Sequence, residues 1–246
     1  MSKKYAEDSL SIVIPSFNEA GNIERVVRES LGVLQGLTDT FDIVVIDDES
    51  EDESPQILKR LSEEISQLTV IRNEPRKGCH PSSLVGFKAA KGNYQYFIPG
   101  DGQIPADEIT KFVDCAKEGN DVVYSWRVQR ADPPHRRYVS SFYNWVLRTF
   151  LGIKIHDTDS SSLLTKRAVD ELLPHVDSGG AFITVDILLR AERMGMNIGE
   201  VKIRHLPRTA GVATGLNFKD TLIAMGGFFK MGWWLLNQRD GGKKES

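Results

Sequence analysis

An α/β fold around a mainly parallel sheet is predicted by three observations. Short β-branched runs alternate with longer segments of helical periodicity through the first two thirds of the chain, the pattern of successive βαβ units. The 246 residues are 40% apolar and 26% charged, a globular composition that excludes bulk disorder. No internal repeat and no linker divides the chain, so one α/β domain with a C-terminal extension is the economical reading.

Residues 10–14 (LSIVI) form a buried strand closed by Pro15. Ile23, Val26, Val27, Leu31 and Leu34 recur at helical spacing, which predicts a helix over 22–37 with Asn22 as its N-cap. A second strand over 42–47 rests on the run Ile43-Val-Val-Ile46. Ser54-Pro55 opens the next helix with proline in its first turn. Residues 68–71 predict a third strand, 81–90 a helix and 94–98 a fourth strand. A helix over 106–117 has acids in its first turn and Gly119 past its end. A fifth strand covers 121–124. The polar, basic stretch 127–137 contains Pro133-Pro134 and reads as a loop. Helices over 140–151 and 183–194, a strand over 198–203 and a loop over 204–216 complete the domain. The expected division is a polar tail (1–9), the α/β domain (10–216), an apolar amphipathic helix (217–238) and a basic tail (239–246).

Composition closes several routes. With 31 basic and 34 acidic residues the net charge is −3, which gives no global attraction to nucleic acid. Cys79 and Cys115 lack metal or redox spacing and read as packing thiols in a reducing compartment. His80, His135, His156, His175 and His205 show no metal-type pairing. The N-terminus has no apolar signal core. The apolar stretch 222–236 is about 15 residues and contains Lys230, whereas a spanning helix needs roughly 20.

In open parallel sheets, ligands bind beyond the carboxyl ends of the strands. There the strands deliver Pro15-Ser-Phe-Asn-Glu19, Asp47-Asp-Glu-Ser-Glu-Asp-Glu53, Pro99-Gly-Asp-Gly-Gln103 and Ser125-Trp-Arg127. Strand-end acids also serve as helix caps, and Pro-Gly-Asp-Gly also makes a tight turn. The functional alternative is a carboxylate between glycines that holds Mg²⁺ or Mn²⁺ with substrate phosphates. Dinucleotide, P-loop and hydrolase-elbow glycine motifs are absent from the sequence.

The ordered runs SIVIPSFNEAGNI, FDIVVIDDESEDES, RKGCHPSSLVGFKAAKG and YFIPGDGQIP, with the spacing of Arg127, Arg137 and Asp157, resemble the family 2 glycosyltransferases of the GT-A fold. Within that family the chain is most similar to the dolichyl or polyprenyl-phosphate sugar synthases, over about residues 10–215. The resemblance implies an inverting transfer from a nucleotide-diphosphate sugar to a lipid phosphate at the cytoplasmic membrane face. It places Pro15, Phe17, Glu19, Ile46 and Asp48 at the nucleoside, and Asp101, beside Gly100 and helped by Gln103, at a Mg²⁺ or Mn²⁺ bridging the diphosphate. Arg127 falls at a phosphate-binding arginine, Arg137 and Ser141 at the acceptor phosphate, and Arg208 on a mobile loop over the donor.

Three departures bear on these roles. Pro99 stands where the family's first metal-binding acid falls, Thr214 replaces a loop cation, and Ser160-Ser-Ser-Leu163 replaces a Ser-Gly-Phe-Arg type stretch. Two other readings therefore stay open: transfer to a saccharide or other hydroxyl with Asp157 as base, and nucleotide-sugar binding without transfer. Phe228, Phe229, Trp233 and Trp234 in the last apolar segment, with basic flanks, suit a helix over 218–238 resting on a membrane surface, or packing against the domain or a second copy.

Overall fold

The alternating apolar runs become seven strands: β1 (Ser9–Ser16), β2 (Thr40–Asp47), β3 (Leu68–Arg72), β4 (Tyr94–Phe97), β5 (Val122–Arg127), β6 (Ser162–Thr165) and β7 (Ile198–Ile203). They make one sheet in the order β3-β2-β1-β4-β6-β5-β7. The computed structural model describes residues 3–128, 134–180, 182–208 and 210, without the side chains of 134–140, 142 and 143. The expected apolar helix over 217–238, the basic tail and Thr214 lie outside the described residues.

All adjacent pairs are parallel except those of β6, which runs antiparallel to both β4 and β5. Side chains alternate across the strands, so Val13, Val44, Ile46, Phe97 and Tyr124 enter one apolar layer and Ile12, Ile14, Ile43, Val45 and Tyr96 the other. On the second side lie α1 (Ile23–Leu37), α2 (Ser54–Glu64) and α4 (Ile109–Lys117), which bury Val27, Leu58 and Phe112. On the first side lie α3 (Cys79–Ala89), α5 (Pro134–Leu151), α6 (Lys166–Leu172) and α7 (Phe182–Arg193), through Phe87, Leu147, Val169 and Phe182. Strands buried on both faces explain why the runs at 12–14 and 43–46 are continuously apolar.

The structure corrects several sequence expectations. Arg127 closes β5 rather than opening a loop, and α5 begins at Pro134, where proline suits a first helical turn. Ala106–Glu108 is a 3₁₀ turn ahead of α4. Asn22 precedes α1 without a side-chain cap bond. Cys79 is exposed, not a packing thiol. Neither β6 nor α6 was expected. The four residues Ser162-Leu-Leu-Thr165 are too short and too poor in β-branching to announce a strand. Among the described residues, no helix is long and apolar enough to cross a membrane.

Two contacts hold the carboxyl edge in shape. Gly86 of α3 lies so close to the sheet that a Cβ there would come within 2.2 Å of Val13 Cγ1 and 2.6 Å of Ile46 Cδ1. Asp48, at the end of β2, is buried and accepts from the Lys77 amide (2.9 Å), the Gly78 amide (2.7 Å), Asn73 Nδ2 (2.9 Å) and Ser82 Oγ (2.9 Å). Burial by itself would raise this carboxylate's pKa, but those bonds outweigh it and hold the group below the ordinary 3.8. Asp48 thereby ties the β3–α3 connection to the sheet.

Gly86→Ala should overpack that contact and cost about 1–3 kcal/mol in urea denaturation. A group with a depressed native pKa contributes stability above its unfolded pKa and loses it as pH falls through the native value. Asp48→Asn should therefore cost roughly 2–4 kcal/mol at neutral pH. Its deficit relative to the wild type should shrink as unfolding is repeated below pH about 4.

Candidate active site

The loop after β1 needs two unusual conformations, and the loop after β2 supplies what holds them. Asn18 (φ 53°) and Glu49 (φ 67°) are non-glycine residues in the left-handed region. The Asn18 amide donates to Ser50 Oγ (2.9 Å) while its side-chain oxygen accepts from the Glu51 amide (2.8 Å). The Glu19 amide donates to Ser54 Oγ (3.1 Å) and the Ala20 amide to Asp52 Oδ2 (3.0 Å). Asp47 is buried and paired with Arg72. Asp47, Asp48 and Asp52 therefore build the edge from within.

The Gly100 and Gly102 positions answer a similar need. A Cβ on Gly100 would meet Pro15 O at 3.1 Å, and the Gly100 amide bonds that oxygen at 3.0 Å. Gly102 has φ +70°, and a Cβ there would meet Arg25 Nη2 at 2.2 Å. The glycines let the turn press against protein, which sets Asp101 beside the end of β1. Ile46 is fully buried in the core and supports this edge from behind, without an exposed face for a base.

Three groups of predicted site residues form. In the first, Arg208 donates from Nη1 to Glu19 Oε1 (3.0 Å) and from Nη2 to Asp101 Oδ2 (2.9 Å). Glu19 also accepts from Asn22 Nδ2 (2.7 Å), and burial pushes its pKa up against the pull of Asn22 and Arg208. In the second, Arg127 grips Asp157 in a fork, Nε to Oδ2 at 2.7 Å and Nη2 to Oδ1 at 3.0 Å, and also reaches the Asp159 carbonyl. Burial raises the Asp157 pKa, and Arg127 offsets part of the rise. In the third, the Arg76 guanidinium lies 3.5 Å from the centroid of half-buried Phe17, a cation–π contact at the edge of Asp48. Arg137 falls on α5, its side chain outside the described residues, and Ser141 is exposed on the same helix.

Asn22, Arg76, Asn73 and Ser82 were not singled out from the sequence as site residues. Polar residues in loop runs carry no signal of their partners, although Arg76 in the run RKG was a visible charge. Two histidines also find carboxylates, His80 with Asp159 (3.0 Å) and His156 with Glu200 (2.6 Å), and among the described residues no cluster of three or more His, Cys, Asp or Glu is arranged for a metal. Asp101 Oδ1 accepts from the Gln103 amide (3.0 Å), and Gln103 Nε2 donates to Leu206 O (3.1 Å), which leaves the Gln103 side-chain oxygen for a cation. One carboxylate and one amide oxygen fit a Mg²⁺ or Mn²⁺ site that substrate phosphates complete, and not a free-standing cage.

Comparison with known proteins places the whole chain. The family model described as glycosyl transferase family 2 matches residues 11–190. The chain is 29% identical over 211 residues to an undecaprenyl-phosphate 4-deoxy-4-formamido-L-arabinose transferase of Pseudomonas paraeruginosa, covering 85% of this chain and 61% of that protein. It is 27% identical over 238 residues to glycosyltransferase AglD of Haloferax volcanii, covering 94% of this chain and 38% of the relative. The chain thus spans less than two thirds of the length of either curated relative. Among solved structures it is similar to glucosyl-3-phosphoglycerate synthase of Mycobacterium tuberculosis, with a TM-score of 0.71 at 18% identity over 91% of this chain and 79% of that one, a likeness of GT-A fold. With the family model matching well over half of its residues, and with acids and arginines gathered at the carboxyl edge of its sheet, the chain belongs to glycosyl transferase family 2.

Proposed function

We propose that this chain is an inverting glycosyltransferase that moves a sugar from a nucleotide-diphosphate donor to a polyprenyl phosphate. The observation that carries the acceptor class is the Arg127–Asp157 fork. A hydroxyl acceptor needs a base to take its proton, and Asp157, the candidate, has both oxygens held by Arg127. A lipid phosphate is already an anionic nucleophile and needs cations to position it. The Pseudomonas relative's name, with its undecaprenyl phosphate, supports the same class.

In this reading a phosphate oxygen of the acceptor bonds to the anomeric carbon as the bond to the nucleoside diphosphate breaks, and the diphosphate leaves with the electron pair. Charge grows on that diphosphate, so cations fixed near it stabilise the transition state more than the ground state. Arg208, paired with Glu19 and Asp101, would meet it. Closing over the donor, the segment that carries Arg208 would shield the site from water, the competing acceptor. A divalent cation bound at Asp101 and Gln103 would add positive charge at the leaving group; the solved neighbour is a complex with Mn²⁺ and uridine diphosphate. Phe17 and Arg76 offer a flat aromatic and cationic surface to a nucleobase.

Purified protein incubated with labelled nucleotide sugars, polyprenyl phosphate and Mn²⁺ should produce lipid-linked label with one donor class. Absence of such label across UDP-, GDP- and CMP-linked sugars would end the proposal. Asp157→Asn should raise the KM for the lipid phosphate by loosening Arg127 while leaving the shape of the pH–rate profile intact. A loss beyond about 10²-fold in kcat together with a vanished acidic limb would instead identify Asp157 as a base and a hydroxyl as the acceptor.

A further inference from the structure

Residues 204–208 and 210 are fastened along the donor edge at several points. Arg204 donates to Asp107 (2.6 Å) and pairs with buried Glu108 on the 3₁₀ turn. Leu206 and Gln103 bond each other twice, amide to carbonyl at 2.8 Å and side-chain amide to carbonyl at 3.1 Å. The Ala210 carbonyl accepts from Asn22 Nδ2 at 3.2 Å, and a Cβ on Gly21 would meet Ala210 Cβ at 2.8 Å. Between these anchors Arg208 sets one positive charge between two carboxylates, buried Glu19 and Asp101.

From this geometry, and on the donor-site reading above, we infer that Arg208 is the site's resident counter-cation and a direct rival of the divalent cation for Asp101. Asp101 Oδ2 already receives Arg208, and Pro99 supplies no second carboxylate to which either cation could retreat. A metal ion arriving alone must displace the guanidinium and meets its repulsion. A nucleoside diphosphate changes the balance, because its oxygens give Arg208 a new anionic partner and give the metal further ligands. Cation and nucleotide therefore enter as a pair. Glu19 acts as a positioning residue: with Asn22 behind it, it keeps Arg208 against Asp101 while the donor is absent.

Mn²⁺ binding measured by electron paramagnetic resonance, with and without UDP as the probe, tests this without turnover. The wild type should bind Mn²⁺ weakly alone and much more tightly with UDP. Arg208→Ala should tighten binding of Mn²⁺ alone by about tenfold and shrink the enhancement by UDP. Arg208→Gln removes the charge but keeps a hydrogen-bonding side chain between the two carboxylates, and guards against a folding defect in the first variant; it should tighten Mn²⁺ binding in the same direction. Unchanged or weaker binding of Mn²⁺ alone by both variants would overturn the rivalry. Failure of every form to bind Mn²⁺ even with UDP would overturn the metal-dependent donor reading itself.

Discussion

Too much negative charge converges on one edge of the sheet for the fold to leave it uncompensated. Glu19, Asp47, Asp48, Asp52, Asp101 and Asp157 all stand at or near strand ends, and each is held by donors from the chain itself. Like charges at these distances in a half-dry cleft would repel and shift their pKa values upward, so partners must come from other segments. Meeting this constraint decides where the loops go. The β3–α3 connection wraps Asp48, the β2–α2 loop braces the β1–α1 loop through Asp52, and residues 204–208 lie across Glu19 and Asp101. The acids look like a ready ligand cage in the sequence, but most of them are structural anchors that leave a small reactive remainder.

The reversed strand is the second decisive element. Because β6 runs antiparallel between β4 and β5, its first residue, Ser162, pairs with Phe97, the last residue of β4, and with Tyr124, midway along β5. The chain that leads into it, 157–161, must therefore pass over the same edge where β5 delivers Arg127. A parallel strand in that position would have carried Asp157 to the opposite edge. The Arg127–Asp157 fork and the His80–Asp159 pair both follow from this reversal, and with them the separation of the Arg208 group from the Arg127 group.

Much of the fold was legible because its signals are local. The β-branched runs of β1 and β2, the 3.6-residue spacing of Ile23, Val26, Val27 and Leu34, and Pro55 at a helix start each state their conformation without help from distant residues. Ser162-Leu-Leu-Thr165 does not, since four residues with two leucines become a strand only when β4 and β5 both offer free hydrogen-bonding edges. In the site, strand ends pointed to Glu19, Asp101 and Arg127, and the family resemblance to Asp157 and Arg208. Their pairings were illegible, because Arg208 and Glu19 are 189 residues apart and no periodicity links them.

The sequence by itself determined the α/β class, the order of the β1–β5 units and the edge at which chemistry gathers, because strand direction and strand-end composition are local properties. Only the tertiary structure decided which charges meet. It committed Asp48 to a loop, Ile46 to the core and Asp157 to Arg127, and it set Arg208 between Glu19 and Asp101. The physical reason is that a buried charge is stable only beside a partner, and the identity of that partner depends on how distant loops fold over the edge.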